Sequence, residues 1–158
     1  MLYILKNFIF MCVLLVSSYD EVFAEHKINS SCTNIRKEGL RIFVSFSMPE
    51  TLLISLDKQA GKIGAKLVIR GLKNNSFTET FSYVKSMNEK GLVIDIDPKA
   101  FEEFYITQVP AFVINKADKF DKITGNVSIS YALNEFASSG DLQEKAKEYL
   151  RRLENENK

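Results

Sequence analysis

Histidine occurs once in the chain, as His26, in a polar stretch ahead of the domain. That scarcity argues against a metal site or a nucleophile-base pair built on histidine. Cysteine is nearly as rare, with only Cys12 and Cys32. Cys12 lies inside an apolar run, and Cys32 stands alone in a Ser/Asn/Thr-rich segment, so a chain that has shed the run cannot close an internal disulfide. The single thiol then reads as tolerated rather than as an intermolecular bridge. An excess of charge of one sign is also missing: Lys+Arg 21 against Asp+Glu 20 leaves a net charge of +1. No nucleic-acid footprint and no acidic tail follow from such a balance. The apolar run, Phe8 to Val16, is too short for a membrane span, which needs about 20 residues.

What is present at the start reads as an export signal. Lys6 supplies a positive beginning, Phe8 to Val16 the apolar core, and Val22-Phe23-Ala24 the small or aliphatic residues of a cleavage site after Ala24. An uncleaved anchor is the alternative. With cleavage, no integral span remains and the chain enters an oxidising compartment. The expected organisation is a signal peptide over 1–24, a polar leader over 25–39, a domain over 40–153 and a polar tail over 154–158.

The domain turns on Val109-Pro110, which stands directly before the apolar run Phe112-Val-Ile114. Proline lacks an N–H and has a fixed φ, so it marks where a strand begins, and the run itself suits a strand buried on both faces. About one X-Pro bond in twenty is cis in folded proteins, so trans is the default for this bond. Upstream, Leu40 to Phe46 is β-rich and runs into Ser47-Met-Pro-Glu50, whose spacing predicts a capping box with proline in the first helical turn. Leu52, Leu53, Leu56, Ala60 and Ile63 recur at helical spacing up to Gly64, and Ala65 to Arg70 forms the next strand, closing a βαβ unit with a right-handed crossover.

Ser76 and Glu79 predict a second capping box, with Phe77, Phe81, Val84 and Met87 as the buried stripe of a helix that Gly91 ends. Leu92 to Ile96 reads as a short strand. Asp97-Pro98 then opens a brief helix with Phe101 and Phe104 facing inward. Beyond Pro110, Asn115 to Lys119 has hairpin composition and Phe120 to Thr124 returns as an edge strand. Ser128 caps a helix through Ile129, Ala132, Leu133 and Phe136. After Ser138-Ser-Gly-Asp141, Leu142, Ala146, Tyr149, Leu150 and Leu153 mark a last helix, on which Tyr149 and Leu153 are available to a partner.

This order resembles a thioredoxin-like α/β domain: a three-layer fold with a mixed sheet and a βα insertion after the first helix. The likeness implies a redox Cys-x-Pro-Cys at the start of the first helix, facing a cis-proline. Here Ser47-Met48-Pro49-Glu50 holds the first place and Val109-Pro110 the second, so the prolines match and the cysteines do not. Ser47 cannot supply a thiolate, and thiol exchange through this position is excluded.

Phe43-Val-Ser-Phe-Ser-Met-Pro49, Leu67-Val-Ile-Arg-Gly-Leu72, Ile96-Asp-Pro98 with Phe101, Val109-Pro-Ala-Phe112, and Gly125-Asn-Val-Ser128 with Tyr131-Ala-Leu133 together resemble the TrbC family of F-type conjugative type IV secretion systems. The likeness covers about residues 40–134. It implies a periplasmic assembly factor for the conjugative pilus, not an enzyme, without cofactor, and associated with a TraW-like protein or another secretion-system subunit. Asn126 departs from it, since relatives often carry an acidic residue there. No TraW-like segment is fused, so the partner is expected to be a separate chain. The alternatives are a divergent thiol-disulfide isomerase or reductase using Cys32, and a general periplasmic chaperone or adaptor.

Redox relatives bind extended peptides beside the cis-proline, and the likeness implies that a peptide groove outlives the thiols. Its expected residues are Phe46, Ser47, Met48, Pro49, Arg70, Val109, Pro110 and Ala111, with Phe112 converging on the same patch. Against this stands the plainer reading that the residues pack the junction, favoured for Phe46 and Phe112. Arg70 ends an apolar strand, where it can pair with Glu50 or Asp97 on the groove's rim or simply reach solvent.

Overall fold

In the computed structural model, which describes residues 38–155, the β-rich run that begins at Leu40 belongs to β1 (Gly39–Val44), buried along its whole length. The segment read as an export signal, with His26, Cys12 and Cys32, lies outside the described residues. Helix α1 (Glu50–Ile63) follows and ends at Gly64, whose φ of 74° gives the left-handed cap that glycine adopts without strain. β2 (Lys66–Ile69) pairs parallel with β1, and β3 (Ile94–Ile96) parallel with β2. Between these two strands lies α2 (Phe77–Asn88), preceded by a 3₁₀ turn at Lys73–Asn75. The short α3 (Pro98–Glu103) leads to β4 (Ala111–Lys116), which runs antiparallel to β1, and β5 (Lys119–Thr124) closes the sheet antiparallel to β4. α4 (Ile129–Ser139) and α5 (Gln143–Asn155) complete the chain, and the sheet order is β3-β2-β1-β4-β5.

Alternation along the strands sends side chains to two cores. Ile42, Leu67, Phe112 and Ile114 face Leu53, Ala60, Leu133, Ala146 and Tyr149 of the helices on one side. Phe43, Val68, Ala111 and Val113 face Phe101, Phe104 and Ile106 on the other. The layers are thus helices, a mixed sheet and α3. α5 is tied in by polar contacts as well. The Leu40 N–H donates to Tyr149 Oη at 3.1 Å, and Arg152 Nη1 donates to the Ile63 carbonyl at 3.2 Å. A side chain on Gly39, whose φ is 141°, would begin 3.0 Å from that same Tyr149 oxygen, which is why glycine opens β1. Tyr149 is therefore part of the core, not the docking residue that its helix position suggests.

Three predicted helix caps are present. Ser76 Oγ accepts from the Glu79 N–H at 3.2 Å, Asp97 Oδ1 from Ala100 N–H at 3.0 Å and Ser128 Oγ from Tyr131 N–H at 3.0 Å, each stabilising its helix by about 1 kcal/mol. The box at Ser47 does not form. Pro49, extended at ψ 134°, takes the cap position without a side-chain bond, and its carbonyl accepts from the Leu52 and Leu53 N–H groups. Ser47 bonds Ser45 instead, and Glu50 pairs with Lys90. The predicted stripe on α2 is also corrected, because Phe77 and Phe81 are 73% and 64% exposed. Thr80 donates to the Ser76 carbonyl and accepts from Lys73 N–H, which turns the Thr80, Tyr83, Met87 side inward. Asn115 and Lys116 belong to β4, so the hairpin turn is only Ala117-Asp118.

Two predictions arise from polar groups in this frame. Asn115 is fully buried in β4, and neither amide atom has a hydrogen bond among the described residues. An unsatisfied buried amide costs about 1–3 kcal/mol, so Asn115→Leu is expected to raise the unfolding free energy by about 1 kcal/mol or more in urea melts. Asp57, on α1, accepts from the Val93 N–H at 3.2 Å. Burial holds its carboxyl above the ordinary range, partly opposed by that N–H. The folded chain therefore holds this proton more tightly than the unfolded chain. Stability from this source is present at acid pH and is lost as pH rises through the raised value. Asp57→Asn keeps the acceptor oxygen without the charge. It is expected to be more stable than the parent at about pH 7, with the difference vanishing near pH 3 in parallel melts.

Candidate functional site

The sheet changes direction beside β1. From β1 the chain passes through α1 to β2 on one side, while β4 arrives antiparallel on the other, with Phe43 opposite Ala111. The carboxyl ends of β1 and β2 and the beginning of β4 therefore share one edge of the sheet. Crevices at such an edge collect ligands in open α/β folds, because the connecting loops diverge there. Ser45 to Pro49 is one of these loops, and the Met48 N–H closes it on the Ser45 carbonyl at 3.1 Å. Opposite, the Val109-Pro110 bond is cis, as the resemblance implies and against the trans default of such bonds, and the Pro110 carbonyl accepts from Gly125 N–H at 2.9 Å.

A cleft of about 450 Å³ lies at this edge, lined by Val44, Ser45, Phe46, Ile69, Arg70, Gly71, Leu72, Asn75, Phe101, Ile106, Thr107 and Val109. Phe46 stands edge-on to Tyr83 at 5.1 Å, and Lys73 Nζ lies 4.1 Å from the Tyr83 ring centre. Burial and the Glu50 carboxylate push the Tyr83 phenol up, against the smaller opposing influence of Lys90, so it stays neutral near neutral pH. A second cleft of about 420 Å³ continues past Arg70 to Pro98, Glu102 and Tyr105.

Of the residues expected at the groove, Phe46, Arg70 and Val109 line the larger cleft. Ser47 and Pro49 are exposed on the loop beside it, and Pro110 is half-buried. Met48 is half-buried against the helical core. Ala111 and Phe112 are fully buried strand residues, on opposite faces of the sheet, so Phe112 does not join the others at the surface. Arg70 pairs with neither expected acid, since Glu50 is held by Lys90 and Asp97 lies 3.9 Å from Arg41. Its Nη2 donates to the Ile106 carbonyl at 2.6 Å, and its guanidinium lies 5.1 Å from the Phe101 ring centre. Leu72, Asn75, Ile106 and Thr107 were not expected there. Leu72 sits inside one of the family-like motifs, but no pattern in the sequence brings the other three to the cleft.

The family model for the TrbC Type-F conjugative transfer system pilin assembly protein matches residues 42–136. Periplasmic protein TrbC of Escherichia coli (strain K12) is 33% identical over 116 residues, covering 72% of this chain. The chain spans 55% of that curated relative's length. No solved structure matches the chain. Every residue lining the larger cleft falls within the matched range, and by that match the chain belongs to the TrbC family of F-type conjugative transfer pilin assembly proteins.

Proposed function

We propose that this chain acts in the periplasm as an assembly factor for an F-type conjugative pilus, holding a partner in the cleft at the carboxyl edge of its sheet. The observation that carries the reading is the family match, which spans all of the cleft-lining residues. The partner is a TraW-like protein or another secretion-system subunit. A thioredoxin-like ancestry for residues 40–153 is supported by the succession of a parallel βαβ unit, a cis-proline, an antiparallel hairpin and closing helices. With Ser47 and Glu50 where such a domain would carry its thiols, the peptide-binding edge does its work by contact alone.

The test uses donor cells lacking this chain, complemented by the wild type or by Cys32→Ser. DNA transfer and pilus display are expected to fail without the chain and to return in full with either version. Loss of function in the Cys32→Ser cells would revive a thiol-based enzyme. Transfer that never depends on the chain would remove the assembly role altogether.

A further inference from the structure

We infer that the cleft selects a partner segment that carries a carboxylate between apolar side chains, and that Arg70 is the residue that takes the carboxylate. The inference deepens the proposed function and rests on the cleft being a partner-binding surface. Among the described residues, Arg70 is the only charged side chain that lines the larger cleft, and no acid lines it. Arg70 is an exposed residue with a partly buried guanidinium, and it forms no ion pair among the described residues. Its position is nonetheless set, by the 2.6 Å bond to the Ile106 carbonyl and by the Phe101 ring 5.1 Å away.

Only one nitrogen is committed to that carbonyl, so the remaining donors of the planar fork are available for a bidentate carboxylate. Arg70 also lines the second cleft, which places the cation on the wall between the two and within reach from either. Around it, Phe46, Leu72 and Val109 supply apolar wall, which suits apolar side chains on both sides of the acid and strengthens the pairing as water leaves. Charge complementarity thus points to a polypeptide segment with an isolated Asp or Glu, or with its own C-terminal carboxylate, set among apolar residues.

Random phage-displayed peptides selected on the full chain provide the probe, followed by affinity measurement of the best binder on the wild type, Arg70→Gln, Arg70→Lys and Leu72→Asp, with circular dichroism to check each fold. Selected peptides are expected to share an acid flanked by apolar residues. Arg70→Gln, or amidation of the peptide's acid, is expected to weaken binding about 10–100-fold. The two changes together should cost little more than either alone, and Arg70→Lys should retain part of the affinity. If Leu72→Asp abolishes binding while Arg70→Gln leaves it within about twofold and no acid is enriched, the carboxylate inference is overturned and the cleft reading survives. If no peptide is selected, or Leu72→Asp leaves binding unchanged, the cleft reading fails and the inference falls with it.

Discussion

Phe104→Ala is expected to cost the domain about 3–5 kcal/mol, the range for truncating a buried phenylalanine, and to lower Tm by roughly 10–20 °C in thermal melts. Phe104 has no exposure. Its ring meets Phe43 at 5.9 Å and Phe120 at 5.1 Å, and the buried Arg41 guanidinium lies 5.3 Å from its centre. Removing it opens a cavity bounded by β1, β5 and α3 at once, with few ways to collapse. The consequence reaches the cleft, because Phe104 holds the turn whose Phe104 and Tyr105 carbonyls accept from Lys122 Nζ at 3.1 and 3.0 Å. That turn leads into Ile106, whose carbonyl positions Arg70. Phe104→Leu fills most of the volume and is expected to lose less than half as much. Equal losses for the two variants would mean that the site relaxes freely and that its packing matters little.

Leu72→Asp is expected to leave the fold intact and to cut the function sharply. Leu72 is 37% exposed and lines the cleft next to Arg70. Surface changes away from caps and ion pairs usually stay within about 0.5 kcal/mol, so the melt should barely move. At the cleft, however, the new carboxylate replaces apolar wall and offers Arg70 a partner within its own chain. An interface contact of this kind carries about 2 kcal/mol, or roughly 30-fold in affinity. DNA transfer by donors carrying Leu72→Asp should fall accordingly, whereas Lys58→Asp, on an exposed position of α1, should not reduce it. Full transfer by the Leu72→Asp donors would detach the cleft from function.

Much of this architecture was legible because it rests on local chemistry. Ser76, Asp97 and Ser128 cap their helices through bonds three residues long, and the apolar runs of β1, β2 and β4 name themselves. What escaped was decided at longer range or between equivalent choices. On α2, the Phe77-Phe81 side and the Thr80-Met87 side both have helical spacing, one residue or about 100° apart. The Thr80 hydroxyl, bonded to Ser76 and Lys73, decided between them. At the start of α1, Ser45 claimed Ser47, and Lys90, distant in sequence, claimed Glu50. The cis state of Val109-Pro110 belongs to the tertiary setting rather than to the dipeptide.

The cleft followed the same rule. Phe46, Arg70 and Val109 were readable because they flank strand ends, where topology brings loops together. Ile106 and Thr107 come from a segment without periodicity, and the partners of Arg70 proved to be a backbone carbonyl and a ring, which charge matching along a sequence does not reveal.

The claim that the cleft holds a secretion-system partner is tested most directly by placing a photo-crosslinking p-benzoylphenylalanine at position 72 in donor cells and irradiating them during pilus assembly. One discrete adduct with a secretion-system subunit is expected, absent when the same probe replaces Lys58 and diminished by Arg70→Gln. A smear of unrelated clients, or no adduct from position 72 in donors that still need the chain for transfer, would contradict it.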